Sequence, residues 1–200
     1  QNPNDLIEYT ITKIGDSAFY NCSFLESVVI PNTVTTIGIE AFENSSLKSV
    51  TIGQNVLTIG STAFANTLLT DVVIPDSVTE IGDYAFAGCT KLKTVSLGNG
   101  VLYLGGRCFW QTSITSIVIP DSVQTIGGEA FCSNLSLTDV TIGSGITTII
   151  GSPFEGIMIT NSLTLKGNNA VQNWGIFAGA GFSINTLTFV GDITSIPNVI

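Results

Sequence analysis

The sequence predicts a solenoid, mainly β or α/β. One ribbon winds into about eight coils of 22–23 residues, with short parallel strands on one face and a phenylalanine spine inside. Three observations carry that expectation. A hexapeptide recurs as IGDSAF, IGIEAF, IGSTAF, IGDYAF, LGGRCF, IGGEAF and a worn IIGSPF, ending at Phe19, Phe42, Phe64, Phe86, Phe109, Phe131 and Phe154. A second phrase, apolar-x-x-apolar-x-apolar, keeps the same beat from LESVVI (Leu25 to Ile30) to LTDVTI (Leu137 to Ile142). Proline or glycine then closes each copy of that phrase, in alternation.

Composition agrees. The chain is 44% hydrophobic but only 10% charged, with a mean hydropathy of +0.47. No run of about 18 apolar residues exists, so no transmembrane helix is expected. The apolar residues come as short Val, Ile and Leu groups broken by Thr, Ser, Gly and Pro, which is strand composition. The net charge is −9, with six basic residues. That argues against a nucleic-acid partner and against an anionic membrane surface, and no membrane insertion is expected.

Each coil can be traced on the copy around Ile74. Val72 and Ile74 point inward from a short strand and Val73 points outward, by the alternation of a pleated chain. Pro75 ends the strand because it has no N–H to pair. Val78 and Ile81 return inward along the other side. Gly82 is expected to permit a tight bend. Ala85 and Phe86 begin a helical or irregular turn, with Phe86 filling the middle of the coil, and Leu92 opens the next strand.

A finer alternation runs through the copies. Pro31, Pro75 and Pro120 alternate with Gly53, Gly98 and Gly143 after the strand, and the outward strand residue alternates in step as Val29, Thr51, Val73, Ser96, Val118 and Thr141. A two-coil unit has been multiplied. The whole chain, 1–200, is expected to be one solenoid: regular repeats over 7–157, then degenerate terminal coils or a cap over 158–200. LTLKG (Leu163 to Gly167) and LTFVG (Leu187 to Gly191) still read as strands. Between them the stretch holding Trp174, Phe177 and Phe182 is expected to close the stack. In the first coil only Ile7 keeps the pattern. The mid-repeat ending at Ile200 suggests that the full protein is longer.

At IPDSVTEIGDYAFAGCTKLKTVSL (Ile74 to Leu97) the chain resembles the BspA-like type of leucine-rich repeat, a right-handed superhelix. Its phrase is a strand, then Pro or Gly, then V-x-x-I-G-x-x-A-F-x-x-C-x-x-L. The resemblance covers about residues 7–157. It implies a secreted or surface-exposed protein serving in adhesion to host proteins or other cells, with no catalytic motif. The start, QNPNDL, lacks the basic and apolar regions of a signal peptide. The cysteine of the family phrase is met only by Cys22 and Cys89, while Ser45, Thr67, Thr112 and Asn134 stand at that point in other coils.

Catalytic chemistry has little to work with. There is no histidine, which removes Ser-His-Asp and Cys-His arrangements and the commonest metal ligand. No CxxC is present to hold zinc, and no cofactor is expected. Cys22 and Cys89 lie three coils apart, too far for a disulfide. Cys108 and Cys132 lie one coil apart but at different positions relative to their phenylalanines, so buried free thiols are expected. The rival enzymatic reading is a parallel β-helix acting on polysaccharides, with acids from neighbouring coils on one face. Against it, Asp71 and Asp139 lie three coils apart and Asp76 and Asp121 two, which reads as solvated repeat positions. Asn21, Asn44 and Asn134 match N-x-S/T and carry little weight.

The expected function is therefore binding of an extracellular protein or glycan, without catalysis. Geometry alone nominates the strand face: Val29, Lys48, Thr51, Thr70, Asp71, Val73, Lys93, Ser96, Val118 and Thr141. The alternative is a passive spacer within a larger surface protein. Exposed terminal coils would also permit end-to-end self-association.

Overall fold

The computed structural model describes residues 10–167 and 174–191. Its two sides are parallel ladders. The wide side carries the repeated apolar phrase, starting with Ser27–Val29 paired to Ser49–Thr51. The opposite, narrow side is a seven-stranded ladder of two-residue strands: Lys13–Ile14, Thr36–Ile37, Thr58–Ile59, Glu80–Ile81, Tyr103–Leu104, Thr125–Ile126 and Thr148–Ile149. The sequence reading traced this return stretch without assigning strands to it. Each narrow strand turns one apolar residue inward, from Ile37 to Ile126 fully buried. Two residues are too few for a period to register.

The spine is present. Ring centroids from Phe19 through Phe154 step by 4.9–5.6 Å, with neighbouring planes within 10° of parallel. The rings from Phe42 to Phe154 are fully buried, whereas Phe19 is 37% exposed. An eighth ring extends the stack: Phe177, at the end of the 3₁₀ turn Trp174–Phe177, lies 5.4 Å beyond Phe154. It falls 23 residues after Phe154, so the beat outlasts the hexapeptide that carried it. Ser162–Lys166 and Thr186–Val190 are strands of the wide side, as their sequences suggest. The poor first strand at Ile7 and the cap stretch 168–173 lie outside the described residues.

The turn after the narrow ladder is stacked backbone rather than α-helix. Ser17, Glu40, Thr62, Tyr84, Arg107 and Glu129 all hold φ between 53° and 58°, a left-handed conformation that costs roughly 1–2 kcal/mol per residue. The gain is a two-way division of donors. The N–H groups of Tyr84, Phe86 and Gly88 bond to the next coil at Gly106, Cys108 and Trp110, 2.8–2.9 Å away. Those of Ala85, Ala87 and Cys89 bond back three residues within their own coil. An α-helix would turn every donor along its own axis and leave the next coil unpaired.

Gly82 serves differently from the expected bend. Its φ is ordinary; the bend is made at Tyr84. A Cβ on Gly82 would sit 2.6 Å from the Ser61 amide nitrogen. The glycine is required because two coil backbones meet there.

The same contact explains the two-coil unit. A Cβ on Gly53, Gly98 or Gly143 would lie 2.4–2.5 Å from backbone atoms of Pro31, Pro75 or Pro120 directly beneath. Each glycine thus admits the proline of the coil below. Proline in turn cannot donate to the glycine coil preceding it. The wide sheet accordingly breaks into Ser27–Val29 with Ser49–Thr51, then Asp71–Val73 with Thr94–Ser96. From Ser116–Ile119 it runs unbroken through four strands, because Lys166 stands where the next proline would fall.

From Ser45 to Asn134 the position of Cys89 in each coil is a buried hydrogen-bonding column whatever residue fills it. Ser45 Oγ donates to the Phe42 carbonyl at 2.7 Å, Thr67 Oγ1 to that of Phe64 at 2.9 Å, and Cys89 Sγ also to Phe64 at 3.1 Å. Asn134 Nδ2 reaches the carbonyls of both Phe109 and Phe131 while its Oδ1 accepts from Thr112. Departures from cysteine therefore keep the function of the position, which is to satisfy backbone carbonyls beside the spine.

Three outcomes test this architecture. Phe86→Ala should cost about 3–5 kcal/mol in denaturant unfolding, since it empties the middle of the stack. Gly98→Ala should destabilise by about 1–3 kcal/mol through overpacking against Pro75. Gly106→Ala, whose Cβ would meet nothing closer than 3.5 Å, should change stability by less than about 1 kcal/mol.

Candidate functional site

The wide face is built by alternation. Val28, Val50, Val72 and Val95 turn toward the core while the residues flanking each of them face water. Stacking converts these outward residues into columns. Val29, Thr51, Val73, Ser96, Val118 and Thr141 form one, in register where the ladder is paired. Asp71 belongs to the column of strand-opening residues, paired with Thr94. Lys48, Thr70 and Lys93 form a third column just before the strands: Lys48 donates its backbone N–H to Glu26 and Lys93 donates its own to Thr70. All ten nominated residues thus share one face. Nine are exposed and Thr141 is half-buried.

The valines stand out most: Val29 is 75%, Val73 65% and Val118 57% exposed. They alternate with hydroxyl-bearing residues, so the face is ridged with apolar groups and neutral along that column. Charge sits at its margin. Lys48 pairs with Glu26 at 2.6 Å in full solvent, a contact worth at most about 1 kcal/mol. Thr70 Oγ1 donates to Asp71 at 2.8 Å. A shallow depression lined by Thr51, Gln54, Asp71 and Val73 lies where the sheet is broken.

The acids have structural partners that their spacing did not reveal. Asp76 and Asp121 accept the backbone N–H groups of Asn99 and Ser144 in the next coil, at 2.7 and 3.0 Å. Asn32 does the same for Gln54, Asp16 for Ile39 and Asp83 for Gly106. Asp139 gathers three side-chain donors: the hydroxyls of Ser162 and Thr138, and the Asn161 amide at 2.6 Å. These donors, Ser162 foremost, hold its carboxyl below the usual aspartate range. Thr138 apart, each partner lies one coil away along the axis, a neighbour that local reading does not inspect.

The four cysteines are free thiols. Cys89 and Cys108 are buried, and burial raises both thiols. Cys132 is only half-buried, against the expectation of a buried thiol, because it follows the spine residue on the outer side of the turn. Among the described residues no group of three His, Cys, Asp or Glu side chains could hold a metal ion, and no helix is long and apolar enough to cross a membrane. Of the three N-x-S/T asparagines, Asn134 is buried and fully bonded, while Asn21 and Asn44 are exposed.

Comparison with known proteins follows the same lines. The family model described as a BspA type leucine rich repeat region matches in six copies, over residues 12–137, 57–180 and 125–200. A leucine-rich repeat protein from Eubacterium ventriosum aligns at 22% identity and a TM-score of 0.48, covering 91% of this chain and 58% of that one. A leucine rich cell surface protein from Faecalibacterium prausnitzii aligns at 20% identity and 0.49, covering 92% and 84%. The pneumococcal vaccine antigen PcpA aligns at 16% and 0.46, covering 92% and 75%. The present chain thus spans 58% of the length of the Eubacterium protein. No curated protein matches it significantly.

The Asp139 cluster predicts an acid dependence. A carboxyl held low in the fold stabilises it above the unfolded aspartate range, and that contribution is lost as pH falls through the folded value. Asp139→Asn should therefore lower the melting temperature at pH 7. The gap to the wild type should close as the pH is taken below the aspartate range. A gap that persists unchanged in acid would mean that the carboxylate charge is not what the three donors stabilise.

Proposed function

The chain belongs to the BspA-type leucine-rich repeat family, and from that premise we propose that it is a secreted or cell-surface protein whose wide strand face binds an extracellular protein or glycan. The observation that carries this reading is the face itself: columns of exposed valines and hydroxyls, regular over successive coils and rigid because every strand rests on the stacked core. Rigidity matters because a surface that loses no backbone freedom on association keeps more of its contact energy. The mixed apolar and hydroxyl character suits a partner surface that is itself only partly apolar. The alternative, a passive spacer, needs the same coils but no contact residues.

A screen against extracellular matrix proteins and glycans tests the reading, using wild type, Val73→Lys and Lys93→Glu. Both substitutions are at exposed positions and should leave the melting temperature within a few degrees. Val73→Lys is expected to weaken capture of the ligand about tenfold or more. Unchanged binding in both variants removes the strand face, and absence of any ligand in the full screen favours the spacer.

A further inference from the structure

Stacking forces glycine at certain turn positions, and the residue beside each glycine decides its chemistry. The turn after each wide strand centres on two residues: Asn32–Thr33, Gln54–Asn55, Asp76–Ser77, Asn99–Gly100, Asp121–Ser122 and Ser144–Gly145 in successive coils. A Cβ on Gly100 would lie 1.8 Å from the Asp76 carbonyl oxygen, and one on Gly145 2.0 Å from that of Asp121. Glycine is therefore required at both places. Before Gly145 stands a serine, but before Gly100 stands an asparagine. Asn99–Gly100 is the single Asn-Gly pair of the chain.

An asparagine side chain is open to attack by the backbone nitrogen of the next residue when that nitrogen is unbonded and unshielded. Asn44, Asn99 and Asn161 are the described asparagines followed by serine or glycine. Ser45 donates its N–H to the Phe42 carbonyl at 3.2 Å, and Ser162 donates its own to Thr138 at 3.3 Å. The Asn161 amide is also held by Asp139 at 2.6 Å. By contrast, the Gly100 N–H and the Asn99 side chain have no hydrogen-bond partner among the described residues. Asn99 is exposed and Gly100 half-buried. The Asn99 N–H is fixed to Asp76 at 2.7 Å. On its carbonyl side the turn is closed by one long contact, Val101 N–H to the Gly98 carbonyl at 3.3 Å, which opposes rotation only weakly.

We propose that Asn99 is a site of spontaneous deamidation, at which the Gly100 backbone nitrogen displaces the side-chain amide and the fold acquires aspartate or isoaspartate. The Gly100 nitrogen bonds to Asn99 Cγ as its proton passes to solvent base. The Cγ–Nδ2 bond then breaks, and ammonia leaves behind a five-membered cyclic imide. Water opens the imide at either carbonyl, and no oxidant or reductant takes part. Isoaspartate routes the main chain through Cβ, one methylene longer, in a coil that must meet its neighbours at a fixed spacing. Both products also place a carboxylate in the column between Asp76 and Asp121, about 5 Å along the axis from each. Like charges at that spacing repel. The modification is thus one-way and weakens the stack.

Folded wild type kept in mildly alkaline buffer at body temperature, and sampled over weeks by peptide mass spectrometry, tests this. Denatured wild type supplies the reference pace. Asn99 should convert ahead of Asn44 and Asn161, with isoaspartate as the main product. The aged protein should melt about 2–4 °C lower than fresh protein. Asn99→Ser, which installs the residue of the Ser144 coil, should fold and keep its melting temperature on ageing. Asn99→Asp carries the charge without the longer backbone and should melt between fresh and aged wild type. The inference is overturned if Asn99 stays intact in the fold after the denatured chain has converted. It is equally overturned if Asn44 or Asn161 converts first, or if Asn99→Ser loses melting temperature on ageing as wild type does.

Discussion

The constraint on which the structure depends is that each coil must present its backbone donors and acceptors to the coil above at one fixed spacing. The narrow ladder, the wide ladder and the left-handed turn all meet it, by three different backbone conformations. The phenylalanine stack follows from it. Rings repeating at 4.9–5.6 Å are spaced as the strands beneath them require, and their burial adds the apolar area that such short strands lack on their own.

That constraint also sets the local chemistry. Glycine is needed wherever two backbones touch, proline is tolerated only where the coil above yields with glycine, and aspartate or asparagine appears where an amide would otherwise face solvent unpaired. The proline-glycine alternation therefore does two things at once. It packs one coil onto the next and interrupts the wide sheet every second strand. Where Lys166 replaces proline the interruption ceases.

The strand face is regular, and its valines and hydroxyls form a continuous surface suited to broad contact. The cluster of Tyr84, Arg107 and Glu129 is irregular and confined to neighbouring coils. Neither surface needs a change in the core, since the columns that carry them point away from the spine. This separation lets a solenoid change its outward residues without changing its fold.

Much of this was legible in the sequence. The 22–23-residue beat located the spine, alternation located the inward and outward residues of the wide strands, and the ten nominated residues do share one face, because each of these signals is either local or strictly periodic. The rest depended on what lies one coil away. The two-residue narrow strands are too short to carry a period. The left-handed turn is favoured only by bonds to the next coil, and Gly82 is needed only for the backbone of Ser61 beneath it. Phe177 joins the stack although its surrounding hexapeptide has worn away. Tyr84, Arg107 and Glu129 look like scattered substitutions along the chain. Only stacking, which brings residues 22 or 23 apart into contact, makes them neighbours.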